Sequence, residues 1–249
     1  MSATTNYNSD FYRSISEGSA ASAKVVSSLI LAELPVKTIV DFGCGTGIWL
    51  KELKSAGAKE ILGLDGNYVS RDELVISTHE FRPTDLSQSV RLGQKFDLAI
   101  SLEVAEHVNP SSSDLFVENL TQHADLVLFS AAPPGQGGTD HINERSYQDW
   151  RQRFSNNGFE PIDWLRPKIL TNAHIQPWYR YNTILYSSSA GMEKLSNSIL
   201  SFRVPKESKI LDLSPWYFKM RKWALSQLPQ STITQLAKTK HRLLSRLRS

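Results

Sequence analysis

Short apolar, β-branched runs alternate with helix-spaced apolar positions through the first three quarters of the chain. Lys37–Phe42, Glu60–Asp65, Phe96–Leu102 and Asp125–Ser130 read as buried strands, with a weaker one near His79–Arg82. Phe159–Leu165 and Arg180–Ser187 are two further strand-like segments. Helical spacing covers Ser19–Leu34, which ends before Pro35, then Ile48–Ala56 and Asp114–His123. It covers Ser146–Asn157 too, where Asn156, Asn157 and Gly158 form a stop signal. Such alternation predicts an α/β fold whose mostly parallel sheet carries helices on both faces. The last two strands lie close in sequence with no long helix between them, so an antiparallel strand is expected at the end of the sheet.

Beyond Ser187 the texture changes. Residues 189–214 are serine-rich and contain Pro205, which reads as a linker. Trp216–Leu228 mixes aromatic residues with Lys219, Arg221 and Lys222. Thr232–Arg248 places Ile233, Leu236, Ala237, Leu243, Leu244 and Leu247 on one helical face, opposite Lys238, Arg242 and Arg246. The expected division is therefore a helical cap over 1–35, a main domain over 36–188, a linker over 189–214 and a basic helical tail over 215–249.

Charge sharpens that division. The 249 residues carry 28 Lys/Arg and 25 Asp/Glu, a net +3. Residues 1–212 hold 20 basic and 25 acidic residues, and residues 213–249 hold 8 basic and no acidic ones. An acidic body of −5 thus bears a tail of +8, which argues against a nucleic-acid-binding body and allows the tail a membrane or protein contact. No run nears the roughly 18 apolar residues that span a bilayer. The opening residues lack a basic start and an apolar run, so no secretory signal is expected. Cys44 is the single cysteine and excludes an internal disulfide. A cytoplasmic protein is the expectation.

The strongest local signal is Asp41-Phe-Gly43-Cys-Gly45-Thr-Gly47, set between a strand and a helix. A dinucleotide fingerprint requires glycine where Ile48 stands, and a phosphate loop requires Gly-Lys-Ser/Thr, which is absent. The remaining pattern, acid-x-G-x-G-x-G, resembles the first motif of class I S-adenosylmethionine-dependent methyltransferases. The resemblance spans residues 20–187 and implies a Rossmann-like methyltransferase sheet with a C-terminal helical extension. It implies that Asp41, Gly43, Gly45 and Gly47 cradle S-adenosylmethionine. Asp65, about 20 residues after the glycine loop, then meets the ribose hydroxyls, with Gly66 beside it. Asp85 and Leu86 fall where the family meets the adenine, and Ser101 at the sheet rim. Asp65 would equally serve as a turn acid, and Asp85 as a helix cap.

After the fourth strand comes Glu103-Val-Ala-Glu106-His107. If helical, Glu103, Glu106 and His107 share one face at i, i+3 and i+4. Two carboxylates and an imidazole crowded together invite a cation. The glycine-rich loop 131–144 delivers His141 to the same edge, with Asp140 or Glu144 nearby. Glu-x-x-Glu-His plus a loop histidine resembles the metal-dependent small-RNA 2′-O-methyltransferases, and ubiquinone-pathway O-methyltransferases share the first motif. The resemblance implies Mg²⁺ or another divalent cation on Glu103, Glu106, His107 and His141. Without a metal, His141 is the general base. Catalytic roles thus fall to Glu106, His107 and His141.

The Glu/His cluster favours oxygen as the acceptor atom. The region Ser19–Leu34 and the Gly-Gly-x-x-His-x-Asn-Glu loop resemble bacterial glycan and natural-product methyltransferases, which implies O-methylation of a hydroxyl on a small metabolite, natural product or sugar. N-methylation of a small molecule or peptide, RNA 2′-O-methylation, and a non-catalytic cofactor- or partner-binding module are the alternatives. The chain carries no signal for its oligomeric state.

Overall fold

The computed structural model describes residues 9–229, 232–235 and 239, with side chains from residue 18 onward. The chain opens with α1 (Ser9–Glu33), whose Ala23, Val26 and Ile30 are buried at helical spacing. β1 (Thr38–Phe42), α2 (Ile48–Ala56), β2 (Glu60–Asp65), β3 (Phe81–Pro83) and β4 (Leu98–Leu102) follow. Then come α3 (Ser113–His123), β5 (Leu126–Ser130), α4 (Tyr147–Asn156), β6 (Glu160–Ile162), α5 (Leu165–Ile169), α6 (Pro177–Asn182) and β7 (Ile184–Ser187). The C-terminal helices are α7 (Ser189–Met192), α8 (Asn197–Leu200) and α9 (Trp216–Ser226).

Seven strands form one sheet in the order β3-β2-β1-β4-β5-β7-β6. Strands β1 to β5 pair in parallel, while β7 runs antiparallel to both β5 and β6. This is the mostly parallel sheet with an antiparallel last strand that the alternation predicted, in the Rossmann-like form that the resemblance implied. The continuous apolar runs reflect burial on two sides. Ile39, Ile100 and Leu128 face α1 and α2 with Val26, Leu50 and Leu53. Their sequence neighbours Val40, Ala99 and Val127 face α3 and α4 with Phe116, Leu120 and Phe154. Strand order reverses between β1 and β4, and open α/β sheets bind ligands at the carboxyl end of such a switch.

The second layer contains an aromatic stack. Phe154 lies face to face with Tyr186 at 3.9 Å, and Phe129 meets both rings edge-on. Phe154→Ala is expected to cost about 3–5 kcal/mol of stability, read as a lower midpoint in urea.

Two segments depart from the sequence expectation. Strand β6 is only three residues long, and the chain turns helical at Leu165. Arg180–Asn182 ends α6 instead of opening β7, because Pro177 at the first helical position presets a helix. The stretch expected as a linker buries Leu195, Ile199 and Ile210 against the body. Arg151 donates to the Val204 and Pro205 carbonyls, and the fully buried Arg166 donates to the Leu211 carbonyl at 2.9 Å. Arg166 also forms a bidentate pair with Asp163 at 2.7 Å, which compensates its buried charge. Most of the amphipathic pattern Thr232–Arg248 lies outside the described residues.

Candidate active site

The glycine loop leaves β1 at Phe42 and enters α2 at Ile48. Gly43 and Gly47 have φ of 93° and 90°, a region that penalises a Cβ. A Cβ on Gly43 would stand 2.5 Å from the Val104 methyls, and one on Gly47 2.7 Å from Ile76. At Gly45, by contrast, a Cβ would meet nothing within 4 Å, so the loop opens there. The loop is pinned from behind: the N–H groups of Gly43 and Cys44 both donate to the Leu64 carbonyl.

Asp65 ends β2 and clamps this loop. Its Oδ2 accepts the Gly45 N–H at 2.7 Å, and its Oδ1 accepts the Gly66 N–H at 2.7 Å and the Tyr68 hydroxyl. A carboxylate fixed by two backbone amides that still accepts an O–H donor suits a ribose diol. Asp41 is buried behind the loop, where desolvation and then the Asp65 charge push its pKa well above the carboxylate range. Asp85 is exposed and accepts the Ser87 N–H and hydroxyl within a turn, and among the described residues no helix follows before β4 for it to cap. Leu86 packs partly buried at the edge of the second core, and Ser101 is fully buried with its hydroxyl on the Phe42 carbonyl at 2.8 Å.

Beyond β4 the chain does not continue as the α-helix on which a shared face for Glu103, Glu106 and His107 was premised. Glu103 takes φ 58°, and a single 3₁₀ turn covers Ala105–His107. That turn separates the two carboxylates. Glu103 is held by amides: Gln136 Nε2 donates to it at 2.7 Å and Asn182 Nδ2 at 3.2 Å. Desolvation raises its pKa, and these amides oppose the rise. Glu106 is near enough to feel the Glu103 charge but groups with other side chains. Ligand atoms of Glu106, His107 and His141 lie within 4.8 Å of one another, and Glu103 is outside this group.

Both Glu106 carboxylate oxygens are buried and accept no hydrogen bond of good geometry. Burial, then the Glu103 charge, raises its pKa well above the usual range, although the Glu106 and Ala132 backbone amides partly favour the anion. His107 and His141 meet edge to face at 4.9 Å. The His107 pKa is lowered by desolvation and by His141, though part of the ring remains exposed.

Loop 131–144 arrives by a route the sequence did not reveal. Glu144 accepts the N–H groups of Gly135 and Gly137 at 2.8 Å and His141 Nδ1 at 2.9 Å. Asn143 joins the loop to the 3₁₀ turn, donating to the Ala105 carbonyl at 3.0 Å and to Ser113 Oγ at 2.9 Å. The N–H groups of Ile142 and Asn143 both donate to the Glu106 carbonyl at 2.9 Å. Gly138 supplies space, since a Cβ there would collide with His141 Nε2. Gln136, Asn143 and Asn182 had no pattern to betray them; Glu144 had its place three residues after His141.

The fold and the loop define a class I S-adenosylmethionine-dependent methyltransferase. The methyltransferase domain family matches residues 17–157, and the chain belongs to that family. The match begins inside α1 and ends with α4. A ubiquinone biosynthesis O-methyltransferase from Methylobacterium sp. (strain 4-46) is 33% identical over 84 residues, which span 30% of this chain and 32% of that relative. The sugar N-methyltransferase KedS8 from Streptoalloteichus sp ATCC 53650 shares the fold with TM-score 0.56 and 15% identity, over 76% of this chain and 98% of that one. An O-methyltransferase family protein from Burkholderia thailandensis does so with TM-score 0.54 and 13% identity, over 72% and 58%. Among the described residues no helix is long and apolar enough to cross a membrane.

Proposed function

We propose that this enzyme methylates an oxygen of a small metabolite, natural product or sugar, with Glu106, His107 and His141 managing the acceptor proton. The observation that carries the reading is the buried Glu106 carboxylate with no hydrogen bond of good geometry, grouped with two imidazoles at the sheet edge where the cofactor loop opens. A buried carboxylate in that state either keeps its proton or pairs with something cationic brought to it. The donor set fits a divalent cation, which Glu106, His107 and His141 would hold. When bound, such an ion would lower the pKa of an acceptor hydroxyl. Glu103, engaged by Gln136 and Asn182, supports this wall from one side.

The protein's own share is orientation. Asp65 and the glycine loop would fix S-adenosylmethionine by its ribose and methionine part. Where no cation is held, His141 is the base, and with Nδ1–H donated to Glu144 its basic atom is Nε2; a cation on His141 would take that atom instead. The acceptor oxygen attacks the methyl carbon as the carbon–sulfur bond breaks, S-adenosylhomocysteine leaves, and the hydroxyl proton passes to the base. Holding the three atoms in line supplies several kcal/mol of the barrier reduction. An amine acceptor needs less help with its proton, so the cluster favours oxygen. The O-methyltransferase relative and the sugar N-methyltransferase of like fold support a small-molecule acceptor between them.

The direct test is a panel of sugar and catechol-type hydroxyl acceptors, with amine counterparts, assayed before and after dialysis against a chelator. Turnover on hydroxyls that falls on dialysis and returns with Mg²⁺ or Mn²⁺ is expected. Turnover confined to amines and indifferent to chelation would overturn the reading. Glu144→Gln is expected to lower kcat about 10–100-fold through His141 and the loop, as outer partners of such histidines do. Gly138→Ala, which forces the His141 ring aside, is expected to cost about 100-fold in kcat with S-adenosylhomocysteine affinity unchanged by calorimetry.

A further inference from the structure

Helix α9 presents an aromatic and basic surface that methyl transfer does not use. Its inner face, Phe218, Lys222 and Leu225, is partly buried against the body. Lys222 is anchored by Asp212, and Phe218 meets Tyr181 edge-on at 5.4 Å. Its outer face exposes Trp216 (75%), Tyr217 (55%), Met220 (58%) and Trp223 (64%). The spacing 216, 220, 223 makes one stripe along the helix, bordered by the exposed Lys219 and Arg221. Single exposed apolar residues are ordinary, but two tryptophans, a tyrosine and a methionine on one eleven-residue helix are a patch.

We infer that the outer face of α9 docks on the surface of a bilayer that contains anionic lipid. Charge complementarity selects this occupant. From residue 213 onward the chain has 8 Lys/Arg and no Asp/Glu, whereas residues 1–212 carry a net −5. An anionic surface therefore attracts the sequence beyond residue 212, with Lys219 and Arg221 exposed on α9, and repels the acidic remainder. Tryptophan and tyrosine settle at the headgroup level, where an apolar ring and a polar edge are both satisfied, with lysine and arginine beside them. RNA would use the charge but leave the Met220 stripe without a role.

Docking there would set the candidate active site beside the membrane. Arg221 donates to the Gln136 carbonyl at 2.8 Å, and a Cβ on Gly135 would collide with the Lys222 carbonyl, so α9 rides directly on the loop that carries His141. The docking surface stands independently of the metal reading, because its test needs no turnover.

The test is cosedimentation of the full chain with vesicles of phosphatidylcholine alone or mixed with phosphatidylglycerol. Binding to the mixed vesicles, weakened by salt and absent with phosphatidylcholine alone, is the expected result. A shift of tryptophan emission to the blue should accompany it. Trp216→Ser with Trp223→Ser should reduce binding by about tenfold or more, and Lys219→Ala by about fivefold. Circular dichroism and S-adenosylhomocysteine affinity serve as folding controls for these exposed positions. No binding to the mixed vesicles would overturn the inference, as would equal binding by the tryptophan variant. Dimers in light scattering that the tryptophan variant dissolves, with no vesicle binding, would assign the face to a second copy. Salt-sensitive binding to single-stranded RNA without vesicle binding would assign it to nucleic acid and sink the lipid proposal.

Discussion

Glu106→Gln is expected to lower kcat by about 10²–10⁴-fold while leaving S-adenosylhomocysteine affinity intact. Glutamine keeps the shape of the side chain and removes its charge, and with it the capacity to hold a cation or favour a protonated imidazole. The variant also separates a catalytic role from a structural one. The Glu106 carboxylate is buried, accepts no good hydrogen bond and sits near Glu103, so its ionised form destabilises the ligand-free fold. Its proton is held more tightly in the folded chain than in the unfolded one. Folding stability therefore falls as pH rises from the ordinary carboxylate value through the raised folded value. Glu106→Gln is expected to flatten that fall, so that at neutral pH the thermal midpoint holds or rises as activity collapses. A midpoint that drops with activity would make Glu106 a packing residue and remove the core of the proposed chemistry. Adding Mg²⁺ or Mn²⁺ should raise the midpoint of the wild-type chain and not of the variant.

The sheet was legible because its cause is local. Ile39, Val40 and Phe42 in one run, or Leu126 to Phe129 in another, cannot all be buried on a one-sided surface, so each run implies helices on both faces. The glycine loop was legible because its positive φ values leave few alternatives to glycine. The second half of the site was less so. Spacing put Glu106 beside His107, but the premise of a helix failed at Glu103. Nothing in the local sequence announces that a glutamate before Val-Ala will adopt φ 58° and turn its carboxylate toward Gln136 and Asn182. Those amides lie 33 and 79 positions away, and amides carry no periodicity. Glu144 is a middle case. Its distance from His141 was visible, yet its hold on the Gly135 and Gly137 N–H groups depends on how the loop curls. The end of the sheet shows the same limit. An apolar, aromatic run such as Arg180–Ser187 suits helix or strand equally, and Pro177 decided the first half.

The second large effect is expected at Asp65, where replacement by alanine should weaken S-adenosylhomocysteine binding by about 10²-fold or more. Asp65 does two things at once. It holds the Gly45 N–H at 2.7 Å, which fixes the loop at the glycine that, of Gly43, Gly45 and Gly47, has open space at its Cβ position, and it holds the Gly66 N–H at the other oxygen. Alanine leaves both amides without their anion and removes the acceptor we propose for a ribose hydroxyl. A hydrogen bond to a charged group contributes about 1.5–3 kcal/mol, so losing one such bond to the ligand and the loop's preorganisation together accounts for the factor. Asp65→Asn keeps one acceptor oxygen and should fall between wild type and alanine. It also removes the charge that adds to the raised pKa of Asp41, so that Asp41 should ionise more readily in this variant. Calorimetry with S-adenosylhomocysteine reads the affinity, and ¹³C chemical shifts of the aspartate carboxyls read the second effect. Wild-type affinity in Asp65→Ala would show that the clamp orders the loop without touching the ligand, and the ribose role would pass to another residue at the rim.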